Sequence, residues 1–253
     1  MVEQELAQVP LYLNWQFWSA IVAVLALALS QLPPIHILLR GARLDFEVYS
    51  RIALMHKIGN PHAQLHVILT NTGGREIRVR GLAVRIKRGS DEFVLPAENY
   101  LQTPDAKENV MLTSFRLKPG DEWGHIVNFL NYFSRDEEKH YRQLESDLRA
   151  DIVVKRAALD DKNKVVAGDE QYVQPLLKFF DNKFRWHPGE YDLTLEIRAE
   201  PEAASVTNRY RFTLFESDSK QLTDYRDDYK YGFGVFLAAT EHGGVVLPLT
   251  EAR

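Results

Sequence analysis

Eight histidines and no cysteine set the chemistry open to this chain. Without thiols there is no disulfide, no thiolate metal site and no cysteine nucleophile. His62 and His66 stand four apart, like the ligand pair of a zinc peptidase, but they follow Asn60-Pro61 into a strand pattern. Position 63 is Ala where that motif needs Glu. A metal needs three or four converging ligands, so both read as surface or cross-strand histidines. Glu137 and His140 form one Glu-x-x-His pair, where a di-iron bundle uses two such pairs and two further Glu. The acids Asp160 and Asp161, and Asp224, Asp227 and Asp228, lack the Gly and terminal Glu of a calcium loop and read as solvated loop acids. The glycine pairs of Asn71-Thr72-Gly73-Gly74 and Glu241-His242-Gly243-Gly244 open onto neither a phosphate loop nor a dinucleotide fingerprint. No Gly-x-Ser-x-Gly elbow is present. These residues predict no catalysis, no metal and no cofactor.

Two constellations remain. Arg75, Arg78, Arg80, Arg85, Lys87 and Arg88 form a basic run, with Arg78 and Arg80 on one strand face. That pattern suits anionic headgroups or a phosphate, or a plain solvated sheet face. Tyr225, Tyr229, Tyr231 and Phe233 are interleaved with Asp and Arg. Tyr and Arg offer large contact area with a polar tip, so this tail is a candidate partner-binding segment or ordinary packing. The chain of 253 residues carries 31 Lys plus Arg against 35 Asp plus Glu, net −4. No nucleic-acid partner is expected from that balance.

The elements that must position these residues fall into two parts. From Leu6 to Leu39 there is no Asp, Glu, Lys or Arg. A hydrocarbon core of about 30 Å needs ~20 apolar residues, so the stretch predicts a transmembrane anchor. A cleaved signal peptide would need a basic start, whereas Glu3 and Glu5 stand there; a buried core helix would be unusually long and uncharged. Tyr12, Trp15 and Trp18 suit the headgroup level, and Pro33 and Pro34 should end the helix. Arg40 and Arg43 follow it and no Lys or Arg precedes it. The positive-inside rule then puts the C-terminal side in the cytoplasm of an inner membrane. Ser19, Ala23, Ala26 and Ser30 recur four, three and four apart, a small-residue face through which helices pack in lipid.

After Arg43 the period becomes two. Leu44-Phe46-Val48, Leu65-Val67-Leu69, Ile77-Val79, Phe93-Val94-Leu95, Trp123 to Leu130, Tyr191-Leu193-Leu195-Ile197, Tyr210-Phe212-Leu214 and Val245-Val246-Leu247 read as strands. At Ser134 the period turns helical: Ser134-Arg135-Asp136-Glu137 has the form of a capping box, and Tyr141, Leu144, Leu148 and Ile152 make one stripe, predicting a helix to about Leu159. Val173 to Phe184 suits a helix or a strand equally.

Leu69-Thr70-Asn71-Thr72-Gly73-Gly74 resembles the second strand and turn of immunoglobulin-like sandwiches. Leu117-Lys118-Pro119-Gly120 looks like a hinge into another of their strands. Pro188-Gly189-Glu190-Tyr191-Asp192-Leu193 is similar to their penultimate strand, where the Tyr hydrogen-bonds back to the preceding loop. The likeness spans about Leu44 to Phe133 and Trp186 to Leu249, and as a fold-level likeness it implies no functional residues. In architecture the chain also resembles small bacterial membrane proteins, including effectors of anti-phage defence.

The expected protein is thus mainly β. Residues 1–43 form a tail and transmembrane helix, and residues 44–253 a cytosolic immunoglobulin-like sandwich with a helical insertion near 134–183. Its expected role is that of a non-catalytic, membrane-tethered adaptor or accessory subunit. Its partners would be membrane lipid and a membrane protein, or a second copy through the transmembrane helix. The alternative is a homo-oligomeric effector whose cytosolic domain senses a ligand and whose helices perturb the membrane.

Overall fold

Alternating apolar residues build strands that bury one face, and in this chain those strands close on themselves. The computed structural model describes residues 15–31, 40–103, 105–159, 164–238 and 243–252. The first element, α1 (Trp15–Gln31), is followed by strands β1 (Leu44–Lys57), β2 (Asn60–Asn71), β3 (Ile77–Arg88), β4 (Asp91–Leu101), β5 (Val110–Met111), β6 (Phe115–Leu117) and β7 (Glu122–Leu130). Helices α2 (Arg135–Ala157) and α3 (Glu170–Lys183) come next. Then follow β8 (Gly189–Glu200), β9 (Val206–Leu214), α4 (Glu216–Asp224), a 3₁₀ segment (Tyr225–Tyr231), β10 (Val245–Pro248) and β11 (Thr250–Glu251).

Two antiparallel sheets face each other. One holds β10, β1, β2, β7 and the second half of β4; the other holds the first half of β4, β3, β8, β9 and β11. β4 therefore turns one corner, pairing Ala83 with Pro96 in one sheet and Phe129 with Ala97 in the other. The C-terminal strand turns the opposite corner: Val246 and Leu247 pair with β1, Thr250 and Glu251 with β9. The result is a mainly β sandwich closed at both sides, close to a barrel, which leaves few free edges. Pro96 lies inside β4 at the corner, where the strand changes sheets, rather than ending a strand as its type suggests.

The core is where period two places it. Leu65, Val67 and Leu69 of β2, Ile77, Val79, Val84 and Ile86 of β3, and Leu193, Leu195 and Ile197 of β8 are all buried between the sheets. At roughly 25 cal/mol per Å² such side chains are worth ~1.5–3 kcal/mol each before chain entropy is counted. Tyr191 behaves as the resemblance implies. Its hydroxyl donates to the carbonyls of His187 (2.7 Å) and Arg185 (3.0 Å), its ring stacks on Phe212 at 4.8 Å, and burial pushes its phenol up to about 12.

The helices cap one end of the sandwich. α2 begins with the expected reciprocal cap: Ser134 accepts from the Glu137 N–H, and the Glu137 carboxylate accepts from the Ser134 N–H at 2.9 Å. The whole Tyr141, Leu144, Leu148, Ile152 stripe is buried. Residues 170–183 resolve as helix, burying Val173, Leu176, Phe179 and Phe180 on one face. The β1–β2 hairpin drives into this layer. Gly59 has φ +81° and lies so close to α3 that a Cβ there would stand 2.4 Å from the Phe180 carbonyl oxygen, so only glycine fits.

α1 is different in kind. Its 17 residues include no charge, and from residue 15 to 30 every side chain except that of Ile21 is exposed. At ~1.5 Å per residue it covers about 25 Å, and among the described residues no helix is long and apolar enough to cross a membrane. The anchor expected from the sequence is thus not shown by the fold; Tyr12 and residues 32–39 lie outside the described residues.

Candidate interaction site

The sandwich has two ends, and the sequence-predicted residues are divided between them. At one end, named the α1 end for residues 40–43, which follow α1 in sequence, three backbone segments meet around Asn71. Its side chain is buried and fully used: Nδ2 donates to the carbonyls of Arg75 (2.8 Å) and Leu117 (2.9 Å), and Oδ1 accepts from the Gly73 N–H (3.0 Å). The segment that follows α1 is stitched to the same turn. The N–H groups of Thr72 and Gly73 donate to the Arg43 carbonyl, both at 3.0 Å, and that of Gly74 to the Gly41 carbonyl at 3.1 Å. A Cβ on Gly73 would stand 2.4 Å from the Arg43 nitrogen. Asn71-Thr72-Gly73-Gly74 is therefore a backbone clamp on residues 41–43, and not a phosphate cradle.

The basic run does not stay together. β3 carries it from the α1 end to the helical end, a span of about 36 Å between residues 77 and 88. Arg80 pairs with Glu200. Arg85 is held by Glu92 (2.8 Å) and Glu196 (3.0 Å), whose hydrogen bonds raise its already high pKa. Arg78 donates to Ser114 Oγ at 2.8 Å. The middle of the run is thus neutralised by carboxylates on neighbouring strands.

The helical end holds the tyrosine tail. Tyr229 is a core residue, 1% exposed at the base of the groove that Tyr225 borders, with its ring edge-on to Phe180 at 5.9 Å and its phenol pushed up by burial. Tyr231 lies half-buried under the Lys230 ammonium at 5.1 Å. Tyr225 borders a groove of about 400 Å³, between the β1 hairpin, α4 and residues 234–238, and donates to the Gly243 carbonyl at 2.9 Å. His56 lines the same groove. Its Nε2 faces the Leu222 carbonyl at 2.7 Å and its Nδ1 accepts from the Gly59 N–H at 3.2 Å, a pattern that requires the neutral ring with its proton on Nε2. Sequence reasoning missed His56, because it closes a strand whose alternation is interrupted six residues earlier.

The histidines considered for chemistry separate in space. His62 lies on the outward face of β2 and meets the buried Asn128, whose Oδ1 also accepts from Gln64 at 2.9 Å and whose Nδ2 donates to Asn109 at 3.0 Å. Burial pushes the His62 imidazole down, against the pull of that hydrogen bond. Glu137 is occupied by Lys183 and by the α2 cap, which hold its carboxyl at about 2; its neighbour His140 packs on Phe179 at 5.8 Å. Among the described residues no three His, Asp or Glu side chains converge as a metal set.

On α1, Ser19 and Ser30 return their hydroxyls to the carbonyls of Gln16 (2.9 Å) and Leu27 (2.7 Å), so with Ala23 and Ala26 their face is smooth and exposed. Trp15 and Trp18 stand 82% and 52% exposed. Arg40 is exposed, and Arg43 is 3.4 Å from Asp45.

The architecture defines a mainly β closed sandwich with a helical cap. No family model and no curated protein matches the chain. Among solved structures it is similar to Spo0M, a sporulation control protein from Bacillus subtilis, at 9% identity and a TM-score of 0.28, over 74% of this chain and 55% of that one. The chain thus spans about half the length of that protein, and a score so low carries no argument.

Proposed function

We propose that this chain is a membrane-tethered, non-catalytic adaptor: α1 and its uncharged flanks hold it in an inner membrane, and the cytoplasmic sandwich presents its helical end to a protein partner. The observation that carries the reading is α1 itself. Trp15, Trp18, Val22, Val24, Leu25, Leu27 and Leu29 are all exposed on a helix without one charge. Water does not tolerate such a surface, whereas lipid or another apolar helix does. The clamp at Asn71 supports it, because it fixes residues 41–43, the start of the domain, to the sandwich. The immunoglobulin-like description rests on the Tyr191 corner. The groove beside Tyr225 and His56 is the surface we assign to the partner. Tethering raises local concentration, so weak contacts there suffice.

The test is extraction of membranes from the native host at alkaline pH. The full chain should remain in the pellet, and Val22→Arg with Leu25→Arg should release it. Release of the unaltered chain sinks the tether. Because the chain has no cysteine, a single Ser217→Cys reports sidedness: it should react with a membrane-impermeant maleimide only after lysis.

The exposed Ser19, Ala23, Ala26, Ser30 face supports a second reading, a homo-oligomer that acts on the membrane. Ala23→Leu with Ala26→Leu should then abolish an oligomer seen in detergent; an unchanged oligomer removes this reading.

A further inference from the structure

We infer that the α1 end of the sandwich is a docking face for an anionic lipid surface, so that the domain stands on the membrane with its helical end pointing away. This rests on the tether proposed above and adds to it a second, independent contact. Three segments form the rim of this end: residues 40–43, 71–78 and 114–121, joined by the hydrogen bonds around Asn71. With the adjoining Asp45, which meets Arg43 and Thr72, they carry six cations, Arg40, Arg43, Arg75, Arg78, Arg116 and Lys118, against three carboxylates, Asp45, Glu76 and Asp121, in a chain whose net charge is −4. The asymmetry is local and opposite in sign to the whole.

The pairing of these cations distinguishes them from the others on β3. Mid-strand, Arg80 and Arg85 are matched to Glu200, Glu92 and Glu196. On the rim, Arg43 meets Asp45 and Arg116 meets Glu76. Among the described residues, Arg40, Arg75, Arg78 and Lys118 have no carboxylate within ion-pair distance, and all but the half-buried Arg78 are exposed. The exposed Asp121 carboxylate accepts from the Lys118 N–H at 2.8 Å. A net-positive rim, most of whose unpaired cations are exposed, at the end of the domain that carries residues 40–43 matches the negative potential of anionic headgroups. Headgroups are preferred over a free phosphate because the cations ring the end of the domain instead of converging on one point.

The experiment uses the full chain in nanodiscs of phosphatidylcholine with or without phosphatidylglycerol. Incorporation is checked first by flotation. A fluorophore is placed on Pro119→Cys, on the rim, or on Lys87→Cys, at the far end of β3, and quenched by a headgroup nitroxide lipid. The label at 119 should be quenched when phosphatidylglycerol is present and the label at 87 should not. Arg75→Ala and Lys118→Ala should each lower the docked-to-undocked ratio about fivefold. Quenching at 119 that ignores lipid charge overturns the proposal. So does no quenching in an incorporated chain, which leaves the tether standing. So does loss of quenching with inorganic phosphate but not with chloride at equal ionic strength, which marks a phosphate site. A chain that does not float with the nanodiscs overturns the tether and the docking face together.

Discussion

The two ends of the sandwich are closed by opposite means. At the α1 end the closure is backbone: one buried amide, two adjacent glycines and three turns share their N–H and carbonyl groups, and the surface left over is cationic. At the helical end the closure is aromatic: Trp186, Phe180, Phe184 and Tyr229 fill the space under the hairpin turn, with His56 edge-on to Phe180 at 5.2 Å and to Phe184 at 5.7 Å. Hydrogen-bonded turns fix direction with little apolar area, which suits a joint. Aromatic packing supplies stability and leaves a groove at its border, which suits a contact surface.

The comparison breaks first at Trp186, whose ring is wholly enclosed and whose Nε1 donates to the Met55 carbonyl at 2.7 Å. Trp186→Ala should cost about 4 kcal/mol, read as a fall in denaturation midpoint. Asn71→Ala should cost less, about 2–3 kcal/mol, because it deprives three backbone groups, those of Gly73 and Leu117 buried, of one shared partner. Its signature is local. Hydrogen exchange at residues 72–75 should rise well before exchange in β8, whereas Trp186→Ala should raise exchange in α3 and the β1 hairpin first. If both variants loosen the same peptides, the ends are not separate structures.

Gly59→Ala comes next. The new methyl would meet the Phe180 carbonyl at 2.4 Å with φ at +81°, so the hairpin must withdraw from α3, at a cost of about 1–3 kcal/mol. The fluorescence of Trp186, under the same hairpin, should shift to the red as water enters. An unshifted spectrum would mean that the hairpin tip does not seal the helical end.

The α2 stripe and its cap were legible because both are local: a 3.6 period and a Ser-x-x-Glu spacing need no knowledge of the rest of the chain. α3 was not, since Tyr172, Phe179, Phe180 and Phe184 suit either period and Pro175 counts against a helix. Pro175 in fact falls in the second turn, where its missing N–H forgoes one bond to the Gln171 carbonyl and the buried face of Val173, Leu176, Phe179 and Phe180 holds the helix. Spacing alone could have found it, as Val173, Leu176 and Phe179 recur every three residues. β1 runs to Lys57 beyond its legible part because the register shifts between Val48 and Ile52 and exposes residues 49–51 in a row. The closure of β10 onto β1 and the pairing of Arg80 with Glu200 and of Arg85 with Glu196 join strands more than a hundred residues apart, which no window reveals. Tyr225 and Tyr229 sit four apart in the same composition; only the fold sends one to the groove and the other to the core.

The smallest effects come from two titrating groups, and their signs separate them. Burial holds the folded His62 imidazole below 6.5. The unfolded chain therefore binds the extra proton first, and stability should fall as pH drops below about 6.5. Glu137 shifts from 4.5 to about 2, chiefly through its hydrogen bond from Lys183. Its contribution is present above about 4.5 and is lost as pH falls towards 2. With more than a third of that side chain exposed, the contribution is worth less than ~1 kcal/mol. His62→Gln should flatten the upper window and Lys183→Met the lower one, each read from denaturation midpoints across pH. Lys183 joins α3 to α2, and His62 lies on β2 two residues from its helical end, so neither touches the clamp. Exchange at residues 72–75 should therefore be unmoved by either variant under conditions that keep the chain folded. Movement there in the same pH windows would show that the two ends are energetically one unit, and that the joint at Asn71 senses what happens beside the groove.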